Sequence, residues 1–150
     1  MNAVLPPPVR VLVAEDNEDH RFLTVRALRQ AGGEAVAVEE VHDGEQALDF
    51  LYRRGGYGDR ERPHLIVLDL RMPRVNGFEV LAQVKADIDL RSIPVVVLTS
   101  SDLPEDVSRA YELGTNSFVT KPSGAAVLDG LMAVGEYWLG GTTSLPDAPK

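Results

Sequence analysis

Short apolar runs alternate along this chain with stretches in which apolar residues recur at helical spacing. Each run has the length and composition of a buried strand, and a helical pattern follows each of them. The predicted strands are Val9–Ala14, Ala35–Val38, Leu65–Leu68, Ile93–Leu98 and Ser117–Thr120. Strict alternation of five strands with five helices is typical of β/α units, so the pattern predicts an α/β fold with a mostly parallel sheet.

Side chains that favour helix ends mark three of the predicted boundaries. Asn76 and Glu79 have the spacing of a capping box before the third helix. Asp102 and Glu105 repeat this pattern before the fourth helix, and Ser123 is the expected cap of the fifth. We therefore expect these three helices to begin at capped ends.

Polar side chains follow four of the strands at the point where each strand ends. They are Glu15 and Asp16, then Asp69, then Thr99 and Ser100, and finally Lys121 and Pro122. Right-handed crossovers bring the carboxyl ends of parallel strands to one edge, where open α/β sheets bind ligands. Three carboxylates gathered there repel one another unless a hard cation lies among them. Few oxygen ligands with retained waters suit Mg²⁺ better than zinc or a full Ca²⁺ cage.

Each of these residues also has a simpler interpretation. Asp16 taken alone is more often a helix cap than a metal ligand, and Asp69 could cap a loop. Thr99 could be an ordinary hydroxyl at a strand end, and Lys121 a surface lysine. The combination favours a functional site over these simpler interpretations. Mg²⁺, a lysine and a hydroxyl donor together suit a phosphoryl group, and the remaining carboxylate could accept that group.

The order and spacing of these residues resemble a known family. The matching set is Glu15-Asp16, Asp69, Thr99 and Lys121-Pro122, with 30 residues from Asp69 to Thr99 and 22 from Thr99 to Lys121. The set resembles the receiver domain of two-component response regulators, and the loop 69–77 resembles the phosphorylation loop of that family. The resemblance implies a (β/α)5 doubly wound, five-stranded parallel sheet in the flavodoxin-like order 2-1-3-4-5.

The resemblance also implies an acceptor and a cofactor. Asp69 would accept a phosphoryl group from the phosphohistidine of a sensor histidine kinase. Mg²⁺ would bind to the side chains of Asp16 and Asp69, helped by Glu15 and by the backbone carbonyl of Arg71. Glu15 stands where many relatives have Asp, a variant that should tune the metal geometry rather than prevent binding.

The remaining residues of the resemblance concern the phosphoryl group and a switch. Lys121 would pair with the phosphoryl oxygens, and Thr99 would move to hydrogen-bond the group. The Lys121–Pro122 peptide bond would be cis, which aims the lysine at the site, because only an X–Pro bond makes the cis form inexpensive. Phe118 matches the switch aromatic of the family, and a core position in the fifth strand explains it equally well.

The composition narrows the classes of function. The chain has 150 residues, which favours one domain, and a net charge of −8, which argues against nucleic acid or an anionic membrane as the main partner. It has no cysteine, which excludes a disulfide scaffold, a thiol nucleophile and a Cys-type zinc site. No apolar run approaches the roughly 18 residues of a membrane helix, so a cytoplasmic location is expected. A phosphate-binding loop for ATP is missing, and so is a second acid two residues after Asp69, which disfavours a turnover enzyme.

The chain is expected to divide into three segments. These are an extended N-terminal segment at 1–8, a receiver domain at 9–139 and a flexible C-terminal tail at 140–150. Only 11 residues follow the predicted fifth helix, too few for a helix-turn-helix output module. A stand-alone receiver would signal by a conformational switch and surface contact. The alternative is an adaptor or phosphate sink for a sensor kinase, without an output switch of its own.

Three further segments concern the partners. Residues 53–63, 85–94 and 136–139 resemble single-domain regulators paired with phytochrome-type histidine kinases. The insertion 53–62 has four arginines against two acids, and is either a solvated loop or a contact for an acidic kinase surface. The fifth helix spreads its apolar residues over about 160°, wider than the roughly 100° stripe of a surface helix. This favours a homodimer through helix 4, strand 5 and helix 5 over a deeply seated terminal helix.

Overall fold

The structure is a computed structural model that describes residues 7–150, so most of the expected N-terminal segment lies outside the described residues. The strands are β1 (Val9–Ala14), β2 (Val36–Val41), β3 (Leu65–Leu68), β4 (Val95–Thr99) and β5 (Ser117–Thr120). The helices are α1 (Glu18–Gly32), α2 (Gly44–Tyr52), α3 (Gly77–Ala86), α4 (Pro104–Glu112) and α5 (Val127–Leu139). Within residues 7–150, no helix is long and apolar enough to cross a membrane.

The five strands form one parallel sheet. Their order is β2-β1-β3-β4-β5, which confirms the predicted (β/α)5 doubly wound sheet in the order 2-1-3-4-5. The register aligns Ala14 with Leu68 in β1 and β3, and Thr99 with Thr120 in β4 and β5. The carboxyl ends of these four strands therefore lie beside one another at one edge of the sheet.

Side chains of the central strands alternate between two hydrophobic layers. On the side covered by α2, α3 and α4, Leu12, Ile66 and Val97 belong to one buried cluster. On the side covered by α1 and α5, Val11 and Val67 belong to the other. Successive residues of a strand point to opposite faces of the sheet. Because helices cover both faces, residues on either face are buried, and β1, β3 and β4 are accordingly almost continuously apolar. With both faces covered, the loops at the strand ends remain for functional chemistry.

The helix ends test the three capping predictions. The Asn76 side chain accepts a hydrogen bond from the amide three residues on at 3.0 Å and caps α3, as predicted. The prediction for Asp102 is wrong: α4 begins at Pro104 without a side-chain cap, because proline has no amide hydrogen to satisfy and its φ suits a first turn. The prediction for Ser123 is also wrong, since a three-residue 3-10 turn separates it from α5 and it makes no capping hydrogen bond.

The second strand differs most from its predicted bounds. It runs over Val36–Val41 rather than Ala35–Val38. The missed part contains Glu39 and Glu40, whose charges interrupt the apolar pattern. β2 is an edge strand of the sheet, and edge strands tolerate such charged residues.

The last residues of the chain lie against the edge of the sheet at which the strands begin, here called the amino-terminal edge. Leu145 packs against the hydrophobic layer on the side of α1 and α5. Arg62 Nη1 donates a hydrogen bond to the Lys150 carbonyl oxygen at 2.9 Å. Residues 140–150 contain no helix or strand, and their flexibility remains a prediction.

Candidate functional site

Three carboxylates meet at the carboxyl edge of the sheet. Glu15 and Asp16 follow β1, and Asp69 follows β3, which is hydrogen-bonded to β1. One ligand oxygen from each lies within 4.8 Å of the other two. Glu15 and Asp69 are buried, whereas Asp16 is exposed. The structure thus brings together the three side chains that the sequence suggested as metal ligands.

The helix-cap interpretation of Asp16 does not hold. The cap of α1 is the next residue, Asn17, whose side chain accepts a hydrogen bond from the His20 amide at 3.0 Å. Asp16 therefore remains available to the acidic cluster.

The loop after β3 fixes one oxygen of Asp69 and leaves the other facing the edge. Asp69 Oδ1 accepts a hydrogen bond from the Leu70 amide at 2.7 Å, and the Arg71 amide lies 3.5 Å away. The Gly77 amide donates to the Leu70 carbonyl oxygen at 3.0 Å, which closes the loop. A Cβ at position 77 would lie 2.2 Å from the Asp69 carbonyl oxygen, so only glycine permits this approach.

Lys121 reaches into the cluster from the end of β5. Its amide donates to the Thr99 carbonyl oxygen at 2.7 Å, which continues the pairing of β4 with β5. Its side chain is only 6% exposed; Nζ contacts the Glu15 carboxylate and lies 3.6 Å from Asp69 Oδ2. Nζ also lies 3.1 Å from Nδ1 of His20, a site neighbour that the sequence reasoning missed. His20 lies 101 positions from Lys121, and no local sequence pattern indicates this contact.

The prediction of a cis bond before Pro122 is wrong. All peptide bonds between described residues are trans, including Lys121–Pro122. With this trans bond the lysine side chain already reaches Glu15 and Asp69, and trans is the favoured form by about 0.5–1 kcal/mol.

The electrostatics of the cluster favour a cation. Burial and the adjacent Asp69 carboxyl raise the pKa of Glu15 to about 8, against the opposing effect of the Lys121 ammonium. The three carboxylates and the lysine carry a charge of −2 when all are ionised, so a divalent cation would neutralise them. Carboxylate oxygens at this spacing fit a hard cation such as Mg²⁺ or Mn²⁺, which keeps several waters. The participation of the Arg71 carbonyl remains a prediction.

The two other predicted residues lie on β4 and β5. Thr99 is fully buried, and its Oγ1 accepts a hydrogen bond from the Ser101 amide at 3.4 Å. Phe118 is half-buried and packs against the hydrophobic layer on the side of α2, α3 and α4. Its amide donates to the Tyr111 hydroxyl oxygen at 3.3 Å. Phe118 therefore packs at the margin of the core, and its role as a switch remains a prediction.

The arginines of the insertion 53–62 make contacts within the chain. Arg54 pairs with Asp49 at 3.1 Å, and Arg60 pairs with Glu39 at 3.7 Å. Arg62 Nε donates to a backbone carbonyl of α2 at 3.1 Å. These contacts account for the arginines as parts of a folded loop, which leaves a kinase contact as a hypothesis.

Most of the wide apolar surface of α5 is covered by the rest of the chain. Val127, Leu131 and Trp138 pack into the hydrophobic layer that α5 shares with α1. A Cβ at Gly135 would lie 2.9 Å from the Ala31 Cβ, so the two helices approach closely. The seated position of the helix therefore explains much of its apolar width.

A parallel sheet of this topology, whose carboxyl edge gathers an acidic cluster, a buried threonine and a lysine, is the arrangement of a signalling receiver domain. The family model described as the response regulator receiver domain matches residues 11–132, and the chain belongs to that family.

Several relatives match over nearly their whole length. The probable methanogenesis regulatory protein FilR2 of Methanothrix harundinacea is 42% identical over 89% of this chain and 85% of its own. The response regulator Rcp1 of Synechocystis is 37% identical over 95% of this chain and 96% of its own. The structure of its Mn²⁺-bound form matches with a TM-score of 0.88 at 35% identity, covering 93% and 100% of the two chains. The phosphorylated cyanobacterial phytochrome response regulator RcpA matches with a TM-score of 0.87 at 35% identity, covering 93% and 99%.

Proposed function

We propose that this receiver domain is a cytoplasmic response regulator that accepts a phosphoryl group on Asp69 from the phosphohistidine of a sensor histidine kinase. The observation that carries the proposal is the position of Lys121 Nζ, 3.6 Å from Asp69 Oδ2. The loop amides hold the other oxygen, Oδ1, so Oδ2 is the oxygen left for the reaction. An ammonium at this distance can pair with a phosphoryl group as soon as one is attached.

The transfer is a single displacement at phosphorus. Asp69 Oδ2 forms a bond to phosphorus while the bond from phosphorus to the histidine nitrogen breaks, and that nitrogen keeps the electron pair. Glu15, Asp16 and Asp69, with the Arg71 carbonyl, would hold Mg²⁺, which when bound supplies positive charge for the phosphoryl oxygens. The acidic cluster therefore contributes charge and position rather than a further reactant.

The switch follows from a change of partners. Lys121 would exchange its contact with Glu15 for the phosphoryl oxygens, and the Thr99 hydroxyl would move to donate a hydrogen bond to the same group. Phe118, on the strand beside Thr99, would then repack behind it. Because Phe118 has no hydroxyl, its part in the switch would be packing alone.

The relatives support the cation and the class of kinase. Rcp1 has a structure with bound Mn²⁺, a hard divalent cation like Mg²⁺. RcpA is a phosphorylated phytochrome response regulator, and it covers nearly all of this chain. We therefore extend the proposal to a phytochrome-type histidine kinase as the phosphoryl donor.

The proposal includes a homodimer through α4, β5 and α5. Tyr111 on α4 is 52% exposed and Tyr137 on α5 is 61% exposed, so both helices keep aromatic surface outside the core. Light scattering at tens of micromolar protein should give the mass of a dimer, and Tyr137→Arg should reduce it. A monomer mass for the unchanged protein at that concentration would count against the dimer.

Intact mass spectrometry tests the central claim. With Mg²⁺ and acetyl phosphate, the protein should gain the mass of one phosphoryl group, and a chelator should prevent the gain. Asp69→Asn should abolish it, whereas Asp59→Asn, an exposed acid in the insertion, should leave it intact. A gain that persists in Asp69→Asn, or no gain with either acetyl phosphate or a kinase, would overturn the proposal.

A second experiment separates a switch from an adaptor or phosphate sink. Binding of a purified phytochrome-type kinase is measured for the unphosphorylated protein, the phosphorylated protein and Asp69→Asn. A switch predicts that phosphorylation changes the affinity severalfold, with Asp69→Asn behaving as unphosphorylated. Equal affinities for all three would favour the adaptor.

A further inference from the structure

Asp106 connects two loops that meet at the acceptor site. It lies in the first turn of α4 and is buried, although it is a charged residue. Its Oδ2 accepts a hydrogen bond from Arg71 Nη2 at 3.0 Å and another from the Ser101 hydroxyl at 2.5 Å. Arg71 belongs to the phosphorylation loop after β3, and Ser101 belongs to the loop between β4 and α4. A single carboxylate oxygen therefore joins both loops to α4.

The two ends of this connection are the acceptor and the buried hydroxyl. The Arg71 amide lies 3.5 Å from Asp69 Oδ1, and the Ser101 amide donates to Thr99 Oγ1 at 3.4 Å. Hydrogen bonds, together with the residues Arg71 and Ser101 themselves, therefore connect Asp69 through Asp106 to Thr99.

A role in stabilising the helix start does not account for these contacts. An acid in the first turn of a helix is favourable because of the helix dipole, and Glu105 already supplies one there. Glu105 is exposed, whereas the Asp106 side chain is only 13% exposed and both of its partners come from other segments. A purely dipolar role would require neither burial nor these partners.

We propose that Asp106 is a positioning residue that holds Ser101, and through it Thr99, in the unphosphorylated arrangement. The inference rests on the proposed function, because the movement that it restrains is the approach of Thr99 to a phosphoryl group on Asp69. Ser101 is two residues from Thr99 and must follow that movement. The Ser101 hydroxyl then either breaks its hydrogen bond to Asp106 or moves α4 with it. Either change makes the surface of α4 depend on whether Asp69 is phosphorylated.

The rate of phosphorylation tests the restraint. Asp106→Asn and Arg71→Gln should each take up a phosphoryl group from acetyl phosphate roughly three- to tenfold faster than the unchanged protein, because the resting arrangement is less favoured. The double variant should be no faster than the faster single variant, since both changes break one connection. Glu105→Gln removes a charge from the same helical turn and should keep the original rate.

The amide resonances of Thr99 and Ser101 provide a readout that needs no phosphorylation. Arg71→Gln should shift both resonances in the protein with Asp106 and leave them unshifted in Asp106→Asn. Rates that are additive or unchanged, or equal shifts with and without Asp106, would overturn the inference. Because the Arg71 side chain is 66% exposed, Arg71→Gln should fold even if Asp106→Asn does not. If the unchanged protein accepts no phosphoryl group, the proposed function fails. The amide resonances of Thr99 and Ser101 then still test whether Asp106 connects Arg71 to Thr99.

Discussion

The two edges of the sheet hold their charged groups in opposite ways. At the carboxyl edge, three carboxylates have oxygens within 4.8 Å of one another, and one lysine contacts two of them, Glu15 and Asp69. At the amino-terminal edge, Arg10 pairs with Glu61 at 2.9 Å, and Arg10 Nε donates to the Arg62 carbonyl oxygen at 3.1 Å. The carboxylates at the carboxyl edge repel one another until a cation binds, whereas Arg10 at the amino-terminal edge finds its partners within the chain. The comparison indicates that this fold gives up stability at the edge with the acidic cluster, where the cation site is proposed, and retains stability at the other edge.

The largest effect is expected from a backbone clash at the carboxyl edge. A methyl group at Gly77 would lie 2.2 Å from the Asp69 carbonyl oxygen and 2.7 Å from the Leu70 Cα, and neither backbone atom can rotate away. Gly77→Ala should lower the free energy of unfolding in urea by about 2–4 kcal/mol. It should also slow phosphoryl uptake more than tenfold, as the acceptor loop is displaced.

Gly56→Ala is the matched control, because a Cβ at that position meets no atom within 4 Å. Its free energy of unfolding should differ from that of the unchanged protein by less than about 0.5 kcal/mol. Similar losses for the two variants would show that close approach at Gly77 does not fix the loop.

The repulsion at the carboxyl edge predicts a stabilising cation. At tenfold its dissociation constant, Mg²⁺ should raise the free energy of unfolding by about 1.4 kcal/mol. Asp16→Asn should raise the melting temperature without Mg²⁺, since it removes one like charge, and should lose most of the response to the cation. Asp19→Asn changes a nearby acid outside the cluster and should keep the full response. Equal responses of the two variants in thermal unfolding would contradict a site at the cluster.

The amino-terminal edge should show its dependence on pH through His64. Its Nδ1 accepts a hydrogen bond from the Arg10 amide at 2.9 Å, which requires a neutral ring. Burial, followed by the charge of Arg10, lowers the pKa of His64 below 6.5, against the opposing charges of Asp147 and Glu61. The pKa of His64 is therefore lower in the folded protein than in the unfolded chain. The stability that the neutral ring contributes is complete above pH 6.5 and is lost as the pH falls through the lowered pKa.

Urea unfolding at about pH 7.5 and about pH 5 measures that loss. The unchanged protein should lose about 1 kcal/mol more than His64→Gln, the usual net value of one hydrogen bond. His42→Gln, at an exposed histidine on the loop after β2, should lose as much as the unchanged protein. Identical pH dependence in all three would exclude His64 as the source.

The smallest effect is expected from the ion pairs of the insertion. Arg60 and Glu39 are each about two-fifths exposed, and such pairs contribute about 0–1 kcal/mol. Arg60→Gln should therefore change the urea midpoint only slightly and leave phosphorylation by acetyl phosphate unchanged. A slower transfer from a kinase alone would revive the kinase contact proposed for this loop, while a large loss of stability would show that the pairs matter more than their exposure suggests.

The sequence predicted the features that depend on local pattern. Buried strands read as apolar runs, so the bounds of β1, β3 and β5 were predicted to the residue. The convergence of Glu15, Asp69 and Lys121 followed from the strand ends, because a parallel sheet brings those ends together. Strand ends need no knowledge of side-chain packing, which is why this part was accessible.

What the sequence did not predict depends on contacts between distant segments. His20 meets Lys121 across 101 positions, and Asp106 meets Arg71 across 35, and neither separation leaves a pattern in the chain. The rotation of α4 about its own axis decides that Asp106, rather than Glu105, is buried. Two of the three predicted helix caps failed for a different reason: proline replaced a side-chain cap at the start of α4, and a 3-10 turn separates Ser123 from α5.

The enclosure of Lys121 has a practical consequence for surface attachment. The chain contains three lysines, and they are Lys85, Lys121 and Lys150. The Lys121 amine is covered within the cluster, and the Lys85 amine donates hydrogen bonds to the carbonyls of Arg91 and Ile93. Of the three, Lys150 is exposed, and its carbonyl lies beside Arg62 at the amino-terminal edge. Among these lysines, an amine-reactive dye or biosensor linker would therefore attach at the end of the protein opposite the acceptor aspartate, leaving that face open to partners.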